Sequence, residues 1–347
     1  MIPFSILDLS IITQGSNAAQ SFRNSRDLAQ HAEHLGFHRY WVAEHHGMPG
    51  IASAATSVLI GHIAGGTKTI RVGAGGIMLP NHSPLAIAEQ FGTLESLYPK
   101  RIDLGLGRAP GSDSAASRAM RRHLMTSSDE FPQDVVELMN YMSKDAHGPV
   151  IAVPGAGLEV PVWILGSSLF GAQLAAALGL PFAFASHFAP AMMMRAVEIY
   201  RAQFSPSAHL DKPYVMLAMN VIAADTDDEA HWLASSMQQS FVNIRSGNPT
   251  QFPPPVKDFM HNASPQVKAL LDSILSCTAI GSAATIKDQL RAFIQKTGAD
   301  ELIIPAAIFD HQARRRSYEI TAAVHAELAQ ESHQKQDAAT AIQNFLL

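Results

Sequence analysis

The chain has 347 residues, of which 47% are hydrophobic and only 16% charged, with a formal net charge of −5. That balance suits a large buried core and gives no basic footprint for nucleic acid. The single cysteine, Cys277, excludes an internal disulfide and a zinc–cysteine cluster and suits a reducing compartment.

The N-terminal "MIPFSILDLS" lacks the basic region, long apolar stretch and small-residue cleavage site of a secretory leader. No apolar run reaches membrane-spanning length, so the expectation is a cytoplasmic protein. Short β-rich runs then alternate with helical patterns. Strands are predicted at 5–9, 39–44, 69–75, 101–107, 160–166, 181–186, 214–222 and 301–308. Helices are predicted near 22–35, 53–64, 84–98, 132–143, 170–179, 190–204, 226–243 and 284–297. Pro84 stands where a helix would begin, and Gly36 and Gly179 where helices would end. Several runs, such as 162–166 and 301–308, are apolar without alternation, as parallel strands covered on both faces require. Eight strands, each followed by helix, predict an α/β fold, a (β/α)8 TIM barrel forming one domain over 1–330. The longest interruption, 238–283, holds Pro253, Pro254 and Pro255 and reads as a lid or a surface excursion between strands seven and eight. Arg314, Arg315 and Arg316 read as a solvated helix start, and 331–347 as a C-terminal tail.

In a parallel barrel every strand ends on the same face, and barrel active sites lie there. The unusual residues follow strand ends: "EHHGMPG" after strand two, "GGIMLPNHSP" after three, "GRAPGSD" after four, "GSSLFG" after five and "SHFAP" after six. The strand starts carry no comparable clusters. Turn chemistry accounts for the Gly and Pro of these segments, but less well for Glu44, His45, His46, His82, Arg108 and His187. Gly166, Ser167 and Ser168 precede a helix, so backbone N–H groups and hydroxyls there would suit an anion, with Arg108 adding a charged fork. Helix capping by the serines and a carboxylate partner for Arg108 are the competing readings. Gly73, Gly75 and Gly76 interrupt a strand and suggest close approach by another group, such as a flat ring. The glycine spacing fits neither G-x-G-x-x-G nor a P-loop. His45 and His46 are adjacent and would face opposite ways along a strand, and no metal-ligand spacing is present.

Together "WVAEHH", "RVGAGGIMLPNHSPLAIAEQF", "RIDLGLGRAPG" and "WILGSS" resemble the luciferase-like flavin-dependent monooxygenases, the superfamily of the bacterial luciferase α chain. The resemblance implies a homodimeric barrel that binds FMN at the strand-end face. It implies that His45 is catalytic near the flavin, with Glu44, the carboxylate just before it, grouped with it and orienting neighbours from behind. It further implies a non-prolyl cis peptide at Gly75–Gly76, with Ala74, Gly75 and Gly76 beneath the ring. Arg108, Gly166, Ser167, Ser168 and Gly171 would hold the phosphate. Luciferase differs in having a glutamate at the place of Ser167 and a threonine near Gly171, which shifts phosphate contacts towards the backbone. Met78, Asn81, His82 and His187 are candidates for the substrate pocket, whereas Met192, Met193 and Met194 read first as core. The reaction implied is oxidation of a small organic substrate by reduced FMN and O2 through a C4a-peroxyflavin. His45 would transfer protons or hydrogen-bond near the flavin reaction centre, since its ordinary pKa lies near working pH. A separate flavin reductase would supply the reduced cofactor. Hydride transfer with a deazaflavin and a non-catalytic flavin-binding role are the alternatives.

Overall fold

The computed structural model describes residues 1–109, 119, 130–146 and 148–345, so the end of "GRAPGSD" lies outside the described residues. Eight parallel strands close into a barrel. They are β1 (Phe4–Asp8), β2 (Arg39–Val42), β3 (Arg71–Met78), β4 (Ile102–Gly107), β5 (Val162–Gly166), β6 (Phe182–Phe184), β7 (Val215–Ala218) and β10 (Glu301–Ile304). Strands β1, β2, β4, β6, β7 and β10 are buried at every position, which explains why their sequences show no alternation. Helices α1 (Ala18–His34), α2 (Thr56–Ala64), α3 (Pro84–Leu97), α4 (Phe131–Met142), α5 (Leu169–Leu178) and α6 (Met193–Gln203) follow β1 to β6 in turn. Pro84 opens α3 at its first turn, and Gly179 closes α5 in the left-handed region with φ 62°. The chain is therefore a (β/α)8 barrel. Among the described residues no helix is long and apolar enough to cross a membrane.

The seventh predicted strand is broken. β7 ends at Ala218, and Asn220–Ala223 forms β8, which leaves the barrel. β8 pairs in parallel with β9 (Thr278–Gly281), so the predicted insertion contributes a strand to a second, two-stranded sheet. Helices α7 (Asp227–Arg245), α8 (Phe259–Asn262) and α9 (Pro265–Ile274) lie between these strands, and α10 (Ala283–Thr297) follows β9. The residue just before the prolines, Phe252, is fastened to the loop that follows β1. Phe252 N–H donates to the Ile12 carbonyl at 2.9 Å, and Gln14 N–H to the Phe252 carbonyl at 2.9 Å.

Two sequence expectations change here. The strand starts do carry a cluster. Arg39 pairs with Asp103 at 2.9 Å and Glu301 at 3.0 Å, Arg71 pairs with Asp103 at 2.6 Å, and Trp41 Nε1 donates to Asp103 at 3.1 Å. Burial works against the Arg39 charge, but the two carboxylates outweigh it and raise its pKa. These charges stand singly in sequence and meet only when the barrel closes. Arg314 is also not solvated: it is 5% exposed, pairs with Asp8 at 2.8 Å and donates to the Ala306 carbonyl at 2.8 Å. Its helix, α11 (His311–Phe345), continues past Gln330. Arg315 and Arg316 pair at the surface with Asp27 and Asp225.

Candidate active site at the strand ends

β2 stops at Val42, two residues before Glu44. The segment beyond it is held by neighbours: Ala43 N–H donates to the Asp8 carbonyl at 3.1 Å and His45 N–H to the Ser53 carbonyl at 3.1 Å. This places Glu44 inside the protein at 0% exposure. Its Oε1 is 2.8 Å from His46 Nε2 and 2.9 Å from His82 Nε2, with Asn81 Nδ2 at 3.4 Å. Its Oε2 accepts the Met78 N–H at 2.9 Å. Burial pushes the Glu44 pKa up, but the histidines and the Met78 N–H outweigh it and leave the pKa lowered. Ionised at neutral pH, the carboxylate only accepts hydrogen bonds, so both imidazole Nε2 atoms carry hydrogen.

Glu44 was expected to support His45 by orienting its neighbours, and its hydrogen bonds go to such neighbours: His46, His82, Asn81 and Met78. It joins the loop after β2 to the loop after β3. Met78, Asn81 and His82, expected to line the substrate pocket, are tied to it. Of these, His82 keeps partial access to solvent, with 26% of its side chain exposed.

Among the described residues no side-chain hydrogen bond joins His45 to this cluster. Its ring is partly buried, and its enclosed Nδ1 has no hydrogen-bond partner. Burial lowers its pKa to about 4; Glu44 opposes that shift and His46 adds to it. Burial thus favours the neutral imidazole of His45 at pH 7, which suits hydrogen bonding more than proton exchange near neutrality. His187, three residues beyond β6, is the second such ring. Burial, with a smaller contribution from charge on His45, takes its pKa down to about 3. Its Nδ1 is likewise enclosed and without a partner. The two histidines come from β2 and β6, four strands apart in the barrel order.

Between them lies the other half of the site. Arg108, just after β4, sets its guanidinium carbon 4.2 Å from the ring centroid of Phe170 in the first turn of α5. Among the described residues no carboxylate pairs with it. Ser168 occupies the N-cap position of α5 but makes no side-chain capping bond, and both Ser167 and Ser168 are exposed. The capping alternative for Ser168 is thus not what the structure shows. Gly166 and Gly171 face each other closely: a Cβ added to either would lie 3.4 or 3.3 Å from the other's Cα.

The Gly75–Gly76 bond is cis. Protein packing already demands glycine along this strand. A Cβ on Gly73 would sit 2.6 Å from the Asp103 carbonyl oxygen, and one on Gly76 would sit 2.7 Å from that of Gly105. Among the methionines, Met193 is core and Met192 is exposed. No group of three or more His, Cys, Asp or Glu among the described residues could hold a metal ion. At the opposite end of the barrel a groove of about 400 Å³ runs past Glu33, His38, Arg71 and His325. Glu33 there accepts backbone N–H groups of Lys68, Thr69 and Ile70, and Arg71 is held by Asp103, so these charges are already engaged.

Residues 2–301 match the profile of the luciferase-like monooxygenases. The chain belongs to that family. It is 53% identical over 328 residues to a luciferase-like monooxygenase of Escherichia coli, covering 94% of this chain and 98% of that one. It is 34% identical over 254 residues to N-acetyl-S-alkylcysteine monooxygenase of Bacillus subtilis, covering 71% and 75%. The solved structure of apo-MsnO8 superposes with a TM-score of 0.88 at 34% identity, over 94% and 99% of the chains. The oxygenating constituent of 3,6-diketocamphane monooxygenase, solved in complex with FMN, shares the fold at a TM-score of 0.70 and 18% identity, over 92% and 96%. Like its relatives, this luciferase-like monooxygenase is an oxidoreductase.

His46 and His82 as partners of Glu44, and Arg39 with Asp103 and Glu301, escaped the sequence reading. The only signal for the first group was three titratable residues and a following histidine at consecutive strand ends.

Proposed function

We propose that the strand-end site binds reduced FMN and uses it with O2 to oxidise a small organic substrate, with a neutral thioether sulfur as the leading class. The observation that supports this best is the division of the site. Arg108 and the uncapped start of α5, between the two imidazoles in the barrel order, suit a phosphate. His45 and His187, with their enclosed nitrogens, suit the reacting end. Arg108 would hold the phosphate by charge, and Ser167, Ser168 and the N–H groups opening α5 would complete its coordination, with Gly166 and Gly171 keeping the cradle narrow. Ala74, Gly75 and Gly76 would lie beneath the ring. Reduced FMN supplies the two electrons of the reaction: one atom of O2 enters the substrate and the other leaves as water. His45, neutral at pH 7, would accept or donate one hydrogen bond there and hold a proton in place without carrying positive charge. Glu44 keeps the loops after β2 and β3 together, and the segment at Phe252 covers the same face against water. The homodimer that the family resemblance implies would be the assembled form. Without a nicotinamide fingerprint, a separate reductase in the cytoplasm would supply reduced FMN.

The thioether class follows the relative named for N-acetyl-S-alkylcysteine. The test uses reduced FMN, ¹⁸O2 and an N-acetyl-S-alkylcysteine. Label in the product is expected. Unlabelled product, or turnover without oxygen on a deazaflavin, would overturn the reading.

A further inference from the structure

The break in the seventh strand places one buried amide beside the site. β7 ends at Ala218 and the chain resumes at Asn220, whose side chain is only 3% exposed. Its backbone belongs to the second sheet, opposite Thr278. Its Nδ2 points towards the barrel's strand-end loops, donating to the His187 carbonyl at 2.7 Å and to Thr278 Oγ1 at 3.1 Å. Both hydrogens of the amide are thus used, one on each element. The His187 ring meets Phe188 edge-on, with centroids 4.7 Å apart at 86°. The Ser186 hydroxyl bonds the Ala218 carbonyl at 2.6 Å, so the loop after β6 is fastened on both sides of the break.

We propose that Asn220 is a positioning residue of the reaction pocket: by holding the His187 carbonyl it fixes the His187 imidazole at the strand-end face that also carries His45. This rests on the reading of the strand-end face as the reaction pocket. An unbroken β7 would keep residue 220 in the barrel ladder; the departure of β8 frees its amide to bridge the loop after β6 and strand β9. A purely structural role, sealing β8 to β9, would depend on Thr278 as much as on His187. The two roles separate because the amide's hydrogens go to different partners.

The test is a histidine ring titration by NMR on the full chain without flavin or substrate, with His187 assigned by its loss in His187→Gln. The titratable groups around the two rings are His45, His187, Glu44 and His46, and none of them is substituted in the Asn220 and Thr278 variants. Asn220→Leu releases the His187 carbonyl, and the ring gains solvent. Its pKa is then expected to rise by about a unit or more from its buried value. Asn220→Asp keeps the shape but turns an acceptor towards the carbonyl, and is expected to move the ring in the same direction. Thr278→Val leaves the bond to His187 intact and should leave the titration at its wild-type value. An unmoved His187 in both Asn220 variants, or an equal shift in Thr278→Val, would overturn the proposal. Turnover of a thioether with reduced FMN is the second arm. Asn220→Leu is expected to lower kcat on the order of tenfold or more, with FMN affinity unchanged. Lost turnover with an unmoved ring would overturn the positioning role. A moved ring with unchanged turnover would leave the hold on His187 standing and remove the reaction-pocket reading instead.

Discussion

Glu44→Ala removes the carboxylate that ties three loop groups together. At 0% exposure the site cannot be refilled by bulk water. Three hydrogen bonds of 2.8–2.9 Å, from His46, His82 and Met78 N–H, lose their acceptor. Leaving these three donors without their charged acceptor costs about 3–5 kcal/mol in all, at the lower end of the roughly 1–3 kcal/mol expected for each unsatisfied donor. Unfolding entropy of roughly 2.1 cal/mol/K per residue gives about 0.7 kcal/mol/K over 347 residues. The melting temperature should therefore fall by about 4–7 °C. Glu44→Gln keeps one acceptor oxygen but turns an amide NH2 towards the donors, so its loss should be smaller. The pH dependence has a definite sign. The Glu44 pKa is lowered in the folded state, so its contribution is present above the ordinary carboxylate value and is lost as pH falls through the folded one. Differential scanning calorimetry at pH 7 checks the magnitude. A Glu44→Ala protein melting within about 1 °C of wild type would refute the clamp.

Other expectations follow from the same geometry. His45→Ala should lower thioether turnover on the order of 100-fold while FMN affinity stays unchanged, measured by fluorescence quenching and steady-state kinetics. Arg108→Ala should weaken FMN binding about tenfold, a modest factor because the guanidinium is partly solvated, and the loss should shrink at high salt. His45 and His187 have folded pKa values lowered to about 4 and about 3. An unfolded histidine takes up its proton near pH 6.5, so the stabilisation from these two rings is complete above that pH and declines as pH falls towards the folded values. The urea midpoint of wild type should thus drop more between pH 7.5 and 5 than that of His187→Gln; equal drops would remove His187 from the account.

The barrel was legible because its strands are buried on both faces and its helices are punctuated by residues such as Pro84 and Gly179. The break at Met219 was not, since "LAMNVI" is apolar on either side of it. Only the pairing partner, β9 rather than a barrel strand, distinguishes Asn220–Ala223 from an extension of β7. The site was legible in position: His45, Arg108, Ser167, Ser168 and His187 all follow strand ends on one face. Its electrostatics were not. A histidine's ordinary pKa suggested proton transfer near neutrality, whereas enclosure of His45 and His187 makes them neutral, and enclosure depends on residues distant in sequence. The partnership of Glu44 with His82 spans 38 residues and exists only because β2 and β3 are neighbours. Arg39, Asp103 and Glu301 were overlooked for the same reason.

The central claim is that this face takes up reduced flavin and governs its reaction with oxygen. Reoxidation of reduced FMN in aerated buffer, followed by stopped-flow absorbance at saturating protein, tests it without knowledge of the substrate. The account predicts a resolved protein-bound phase distinct from oxidation of free flavin, diminished in Arg108→Ala at the same flavin concentration. Reoxidation indistinguishable from that of free FMN would contradict it.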